Sequence, residues 1–128
     1  IRAAGAAYRK GELKARRARQ HDDPDMAVFG WHDAWIDPGN ADWNVADCID
    51  HWRVPALVIQ GTDDPYGTLA QVHEAEDRAY SPVETLILDG VGHAPQQEAE
   101  ADVTQAIVAF CARLHAFEDA PVLIPDVH

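Results

Sequence analysis

The sequence predicts an α/β fold: parallel strands joined by a crossover helix and preceded by a run of helices. Three observations carry this. Two short apolar runs, at 54–60 and 83–88, are rich in Val, Ile and Leu, the composition of strands buried on both faces. About a dozen helix-compatible residues separate them, which makes the strands parallel with a right-handed crossover. Each run ends in a Gly-containing loop, Gly61-Thr62-Asp63-Asp64-Pro65 and Asp89-Gly90-Val91-Gly92-His93. Both loops therefore leave the C-terminal edge of the sheet, where open α/β sheets bind ligands.

The elements follow in chain order. Residues 1–20 are Ala- and Arg-rich and read as helix, broken at Gly11. Asp22-Asp23-Pro24 starts the next helix, with Asp23 at the cap and Pro24 in the first turn. That helix runs to about Ile36 and stops before the turn cluster Asp37-Pro38-Gly39. Residues 41–52 are polar-aromatic and fit one or two helical turns. All four tryptophans, Trp31, Trp35, Trp43 and Trp52, precede the first strand. Trp31 and Trp35 are four apart and share a helix face. They read either as core aromatics or as the underside of a helical cap over an apolar substrate pocket.

The first strand is expected at 57–60 and the crossover helix at 68–80, with Leu69, Val72, Ala75 and Ala79 on one face. Ser81-Pro82 ends that helix and the second strand follows at 83–88. Gln96, Gln97 and Glu98 are expected to start the last helix, where the helix dipole favours Glu98. Ala99, Val103, Ala106, Ile107, Phe110, Cys111 and Leu114 recur at three- and four-residue spacing, which predicts a stripe buried against the sheet. Beyond it lies a tail in which Val122-Leu123-Ile124 either docks as an edge strand or stays loose.

Composition narrows the function classes. At 128 residues with 47% apolar residues, the chain makes one domain or less, with a core of moderate size. Its net charge of −12 is uneven. Residues 1–20 hold seven of the ten Lys and Arg and one of the 22 acids, so they carry +6 and the remainder −18. A nucleic-acid-binding arm is disfavoured, because no second basic patch supports it and the acidic body repels phosphate. No run approaches the ~20 apolar residues of a membrane span, and no signal segment opens the chain. The start at Ile1 suggests a processed product or a fragment. Cys48 and Cys111 form neither a CxxC pair nor a disulfide framework, which favours a reducing, cytoplasmic setting. His21-Asp22-Asp23, His32-Asp33, Asp50-His51 and His73-Glu74 do not converge on one helix face, and HExxH is absent, so no metal is expected.

The chemistry rests on Asp64 and His93. Gly61 is expected to let the backbone turn sharply at the strand end, and glycines flank the histidine loop. If the side chains meet, the carboxylate accepts from Nδ1–H, fixes the tautomer and leaves Nε2 free to take a proton. Asp63 is the competing acid.

From Trp31 to Leu114 these features together resemble the C-terminal part of an α/β-hydrolase: cap helices, an acid-bearing strand, a histidine-bearing strand and a closing helix. The carrying motifs are Gly-x-x-Asp at Gly61 to Asp64 and Gly-Val-Gly-His at Gly90 to His93. The resemblance implies a helical cap or lid at 1–52, the C-terminal part of the hydrolase core at 53–117 and a tail at 118–128. It implies a nucleophile–His–acid triad in which Asp64 is the acid and His93 the base. It further implies a small-molecule ester or similar acyl substrate lying under Trp31 and Trp35, and a mechanism without cofactor.

The chain departs from that pattern at the nucleophile. It has no Gly-x-Ser-x-Gly elbow, and its one serine, Ser81, precedes the second strand at the opposite edge. Cys48 sits in the cap region and Cys111 on the stripe expected to be buried, so neither has the elbow context. The early oxyanion segment and most of the sheet are also missing. The expectation is a C-terminal hydrolase fragment whose partner is the missing N-terminal half of the same fold. The alternative is a non-catalytic split or pseudo-enzyme piece that associates with a complementary half. An Asp nucleophile on this fold would instead make a dehalogenase or an epoxide hydrolase.

Overall fold

A computed structural model describes residues 1–120, the side chain of Glu12 apart. The segment holding Val122-Leu123-Ile124 lies outside the described residues. The chain divides into two compact units, Ile1–Val45 and Ala46–His128.

The first unit is helical, with α1 Arg2–Arg9, α2 Glu12–Arg17 and α3 Pro24–Ile36. The break between α1 and α2 falls at Gly11, whose φ of 96° is left-handed. The start of α3 is the expected one. The Asp23 carboxylate accepts from the Met26 N–H at 3.0 Å and Pro24 opens the helix, which satisfies one orphan donor and removes another. Tyr8, Val28 and His32 are buried. The Tyr8 hydroxyl donates to Asp25, which also pairs with Lys14 at 3.1 Å. Burial, together with the Asp25 hydrogen bond, pushes the Tyr8 phenol up to about 12. A short 3₁₀ turn, Pro38–Asn40, closes the unit.

The second unit carries the sheet. A 3₁₀ segment, Ala46–His51, leads to β1 Ala56–Gly61, α4 Ala70–Arg78, β2 Val83–Leu88, α5 Pro95–Glu98 and α6 Glu100–Glu118. The strands pair in parallel, from Ala56 opposite Val83 to Gly61 opposite Leu88, and α4 is the crossover. This is mixed α/β architecture with a sheet of two strands among the described residues. Val72 and Ala75 of α4 are buried, as their spacing predicts. Arg78 reaches Asp47 at 2.8 Å, Asp50 at 2.7 Å and Glu74 at 3.0 Å, and so ties the 3₁₀ segment to α4.

Three expectations are corrected. The strands are not buried on both faces: residues 56–59 are half-buried and Ile87 is 41% exposed. Two strands with α4 and α6 leave apolar strand surface uncovered. The stripe on the last helix is narrower than its spacing suggests. Val103 is buried and Ala99, Ala106, Phe110 and Leu114 are half-buried, but Ile107 and Cys111 are exposed. At ~100° per residue those two lie roughly 60° and 100° off the centre of the inner row. Finally, Gln96, Gln97 and Glu98 belong to the separate helix α5, because Ala99 at φ −137°, ψ 51° breaks the run before α6.

Candidate active site

The site is built where β1 and β2 end. A Cβ on Gly61 would lie 2.0 Å from the Val91 carbonyl oxygen and 2.5 Å from that of Gly92. Gly61 is thus required because the histidine loop crosses over its backbone, and not to make a sharp turn; its φ is not left-handed. The two loops are then laced together. Thr62 N–H donates to the Leu88 carbonyl at 3.0 Å and Asp63 N–H to that of Val91 at 2.9 Å. Thr62 Oγ1 accepts from Gly90 N–H at 2.9 Å and donates to Asp89 at 3.2 Å.

On this frame Asp64 and His93 meet, as the sequence leads one to expect. His93 Nδ1 is 3.0 Å from each Asp64 carboxylate oxygen. Asp63, the competing acid, lies with its carboxylate against Thr62 Oγ1 at 3.4 Å. Asp64 is further held by donors from its own neighbourhood. Tyr66 N–H reaches Oδ1 at 2.8 Å and Gln60 Nε2 reaches Oδ2 at 3.1 Å. Burial opposes its charge, but the hydrogen bonds from His93 and from the amides of Tyr66 and Gly67 outweigh it and hold the carboxyl below its ordinary range. The Asp64 side chain is 11% exposed and that of His93 63%. The Tyr66 ring packs against the imidazole, centroid to centroid 4.8 Å at 63°.

Glu98 holds the histidine from the other side. One carboxylate oxygen accepts from Gly92 N–H at 3.1 Å and the other from Ala94 N–H at 3.2 Å, so it brackets His93 through the backbone. Sequence reasoning missed both Glu98 and Gln60. Gln60 left a signal, as the lone polar side chain in the strand Ala56–Gly61. Glu98 left none beyond its nearness to His93.

The remaining sequence candidates sit elsewhere. Ser81 Oγ donates to the Trp52 carbonyl at 3.3 Å, before β2 and at the opposite end of the strands from His93. Cys48 and Cys111 are free and exposed, so the expectation of a buried Cys111 fails. Trp31 and Trp35 lie on α3 in the helical unit, 38% and 50% exposed. Trp35 meets Trp43 edge-on at 5.4 Å, and both line a small cleft with Ala34 and Asn40. Among the described residues no three His, Cys, Asp or Glu side chains are grouped to hold a metal ion, and no helix is long and apolar enough to cross a membrane.

Chemically, this is an imidazole whose Nδ1 faces an anchored carboxylate and whose Nε2 is left for other work, the arrangement of a general base. The sequence is 38% identical over 61 residues to "Epoxide hydrolase A" of Mycobacterium tuberculosis. The match takes in 48% of this chain and 19% of that protein, so the chain spans about a fifth of the relative's length. No family profile and no solved structure matches the chain. The partial similarity suggests a hydrolase relation.

Proposed function

We propose that this chain supplies the base and the acid of a hydrolase active site, and that the nucleophile is carried by a segment the sequence does not contain. The carrying observation is the His93–Asp64 pair, with Nδ1 3.0 Å from both carboxylate oxygens at the shared C-terminal edge of two parallel strands. His93 Nε2 takes the proton of the attacking group while Asp64 holds the imidazole and stabilises its cation. The frame is that of the C-terminal part of an α/β-hydrolase, and the partial similarity to an epoxide hydrolase supports it. The same pair serves two substrate classes. With a serine nucleophile it acts on an ester or similar acyl bond. With an aspartate nucleophile it activates the water that releases a covalent ester, and the name of the relative makes epoxides the substrates to test beside esters. Trp31 and Trp35 are the candidates for apolar substrate contact. The mechanism calls for no cofactor.

The test is made in a protein that joins this chain to its upstream coding region. His93→Ala should remove nearly all turnover of ester and epoxide substrates while the circular dichroism spectrum is retained. Turnover close to wild type would remove His93 from the mechanism. The 128-residue chain alone should not hydrolyse a p-nitrophenyl ester above background.

A second reading, a non-catalytic piece that binds a complementary half, is favoured by a groove between β2 and α6. Leu57, Leu86, Leu88, Ala106 and Ala109 line it, flanked by the Glu84–Arg113 pair. The upstream coding region separates the two readings. An in-frame nucleophile motif supports the enzyme, and a start and stop codon there support the binding piece.

A further inference from the structure

Gln60 is 9% exposed in a strand whose other side chains are apolar. Burying a primary amide is costly unless its hydrogens find acceptors. Its Nε2 finds two, Asp64 Oδ2 at 3.1 Å and the Gly67 carbonyl at 3.3 Å. Two acceptors on one nitrogen assign the amide, because a flip would set Oε1 against both oxygens.

We propose that Gln60 is a positioning residue for Asp64 and His93: by clamping Oδ2 it fixes the plane of the carboxylate and thereby the imidazole tautomer with Nε2 free. The inference rests on reading that pair as the acid and base of the site.

Tyr66 N–H anchors Oδ1, and the Gly67 amide also bonds the carboxylate. The carboxyl torsion of an aspartate is broad, and Gln60 Nε2 is the side-chain donor other than His93 that reaches Oδ2. His93, on an exposed loop, has no partner at Nδ1 but this carboxylate among the bonds described. Which ring nitrogen keeps the proton is decided by the bond the other nitrogen is offered. The second bond of Gln60, to Gly67, also closes the acid loop on its own strand. A donor is needed at this place, and an apolar side chain of equal size would fill the space without doing that.

Nitrogen-15 NMR of the imidazoles in the 128-residue chain tests this, with His93 assigned by its loss in His93→Gln. In the wild type the Nδ1–H tautomer should dominate in the neutral ring. In Gln60→Leu the ratio of Nδ1–H to Nε2–H should fall roughly fivefold, the scale of one lost hydrogen bond, with the β1 and β2 amide shifts unchanged. Gln60→Met keeps the length, removes the donor and should lower the ratio about as far. An unchanged ratio in both variants overturns the role of Gln60 and leaves the pair standing. A wild type without a dominant Nδ1–H form overturns the pair itself, and the proposal with it. A third measurement needs no variant at Gln60. Its side-chain amide protons should exchange slowly in the wild type and faster in Asp64→Ala, and fast exchange in the wild type would also overturn the proposal.

Discussion

Asp64 is surrounded by donors, and its charge is their consequence. Its folded-state pKa is depressed below the ordinary 3.8. Its contribution to stability is therefore fully present above that value and is lost as pH falls through the lower, folded one. Unfolding by urea at a series of pH values should show this as a difference. The stability gap between wild type and Asp64→Asn should be constant from neutral pH down to about 4 and then close. A gap that stays unchanged below about pH 4 would mean that the depression is absent. Glu98 acts on the backbone instead. Glu98→Ala frees the amides of Gly92 and Ala94, with an expected loss of about 1 kcal/mol, since the carboxylate is exposed. Hydrogen exchange should accelerate at those two amides and not at Leu86. Asp64 and His93 were legible in the sequence because strand ends followed by glycine loops announce where side chains go. Gln60 and Glu98 were not, because their importance lies in bonds that exist only once the two loops have crossed.

The elements were readable where local chemistry decides them. Asp23-Pro24 started a helix because cap and first-turn preferences are local, and Gly11 broke one for the same reason. Burial was read less well. The runs Ala56–Gly61 and Val83–Leu88 are apolar enough for two covered faces, yet cover depends on neighbours that the run does not specify. The break at Ala99 carries no glycine or proline to mark it. Gly61 was found for the wrong reason, and the difference is testable. If it served only a turn, alanine would fit, since its φ is not left-handed. Because a Cβ would stand 2.0 Å from the Val91 carbonyl oxygen, backbone must move. Gly61→Ala should cost about 1–3 kcal/mol, as overpacking does, measured as a lower urea midpoint. It should also weaken the His93 Nδ1–H signal, since the displaced loop carries the histidine. A midpoint within error of wild type would return Gly61 to the turn explanation.

At the scale of the molecule, the apolar surface left open on the sheet-bearing unit is the fact to explain. Val54 is 69% exposed, Val108 63%, Ile107 46% and Ile87 41%, and Leu57, Leu86, Leu88, Ala106 and Ala109 make up half of the lining of the groove between β2 and α6. Single exposed aliphatic residues are ordinary, but a partly aliphatic groove beside a sheet that has two strands among the described residues is surface that another layer can cover. The sequence announced this indirectly, through strands too apolar for a sheet that has two strands among the described residues. It could not announce which side chains stay open, since that depends on the packing angle of α6. The expected behaviour of the chain alone is reversible self-association that strengthens with salt, as apolar contact does and ion pairing does not. Sedimentation velocity across a concentration series checks it. Ile87→Lys places a charge on a strand position that is already partly exposed. It should weaken association at least tenfold while leaving the thermal unfolding midpoint within a few degrees, because little buried surface is lost. If the wild type stays monomeric at every concentration and binds no apolar dye, the open surface is a stable feature of this chain, and the case for a covering layer falls.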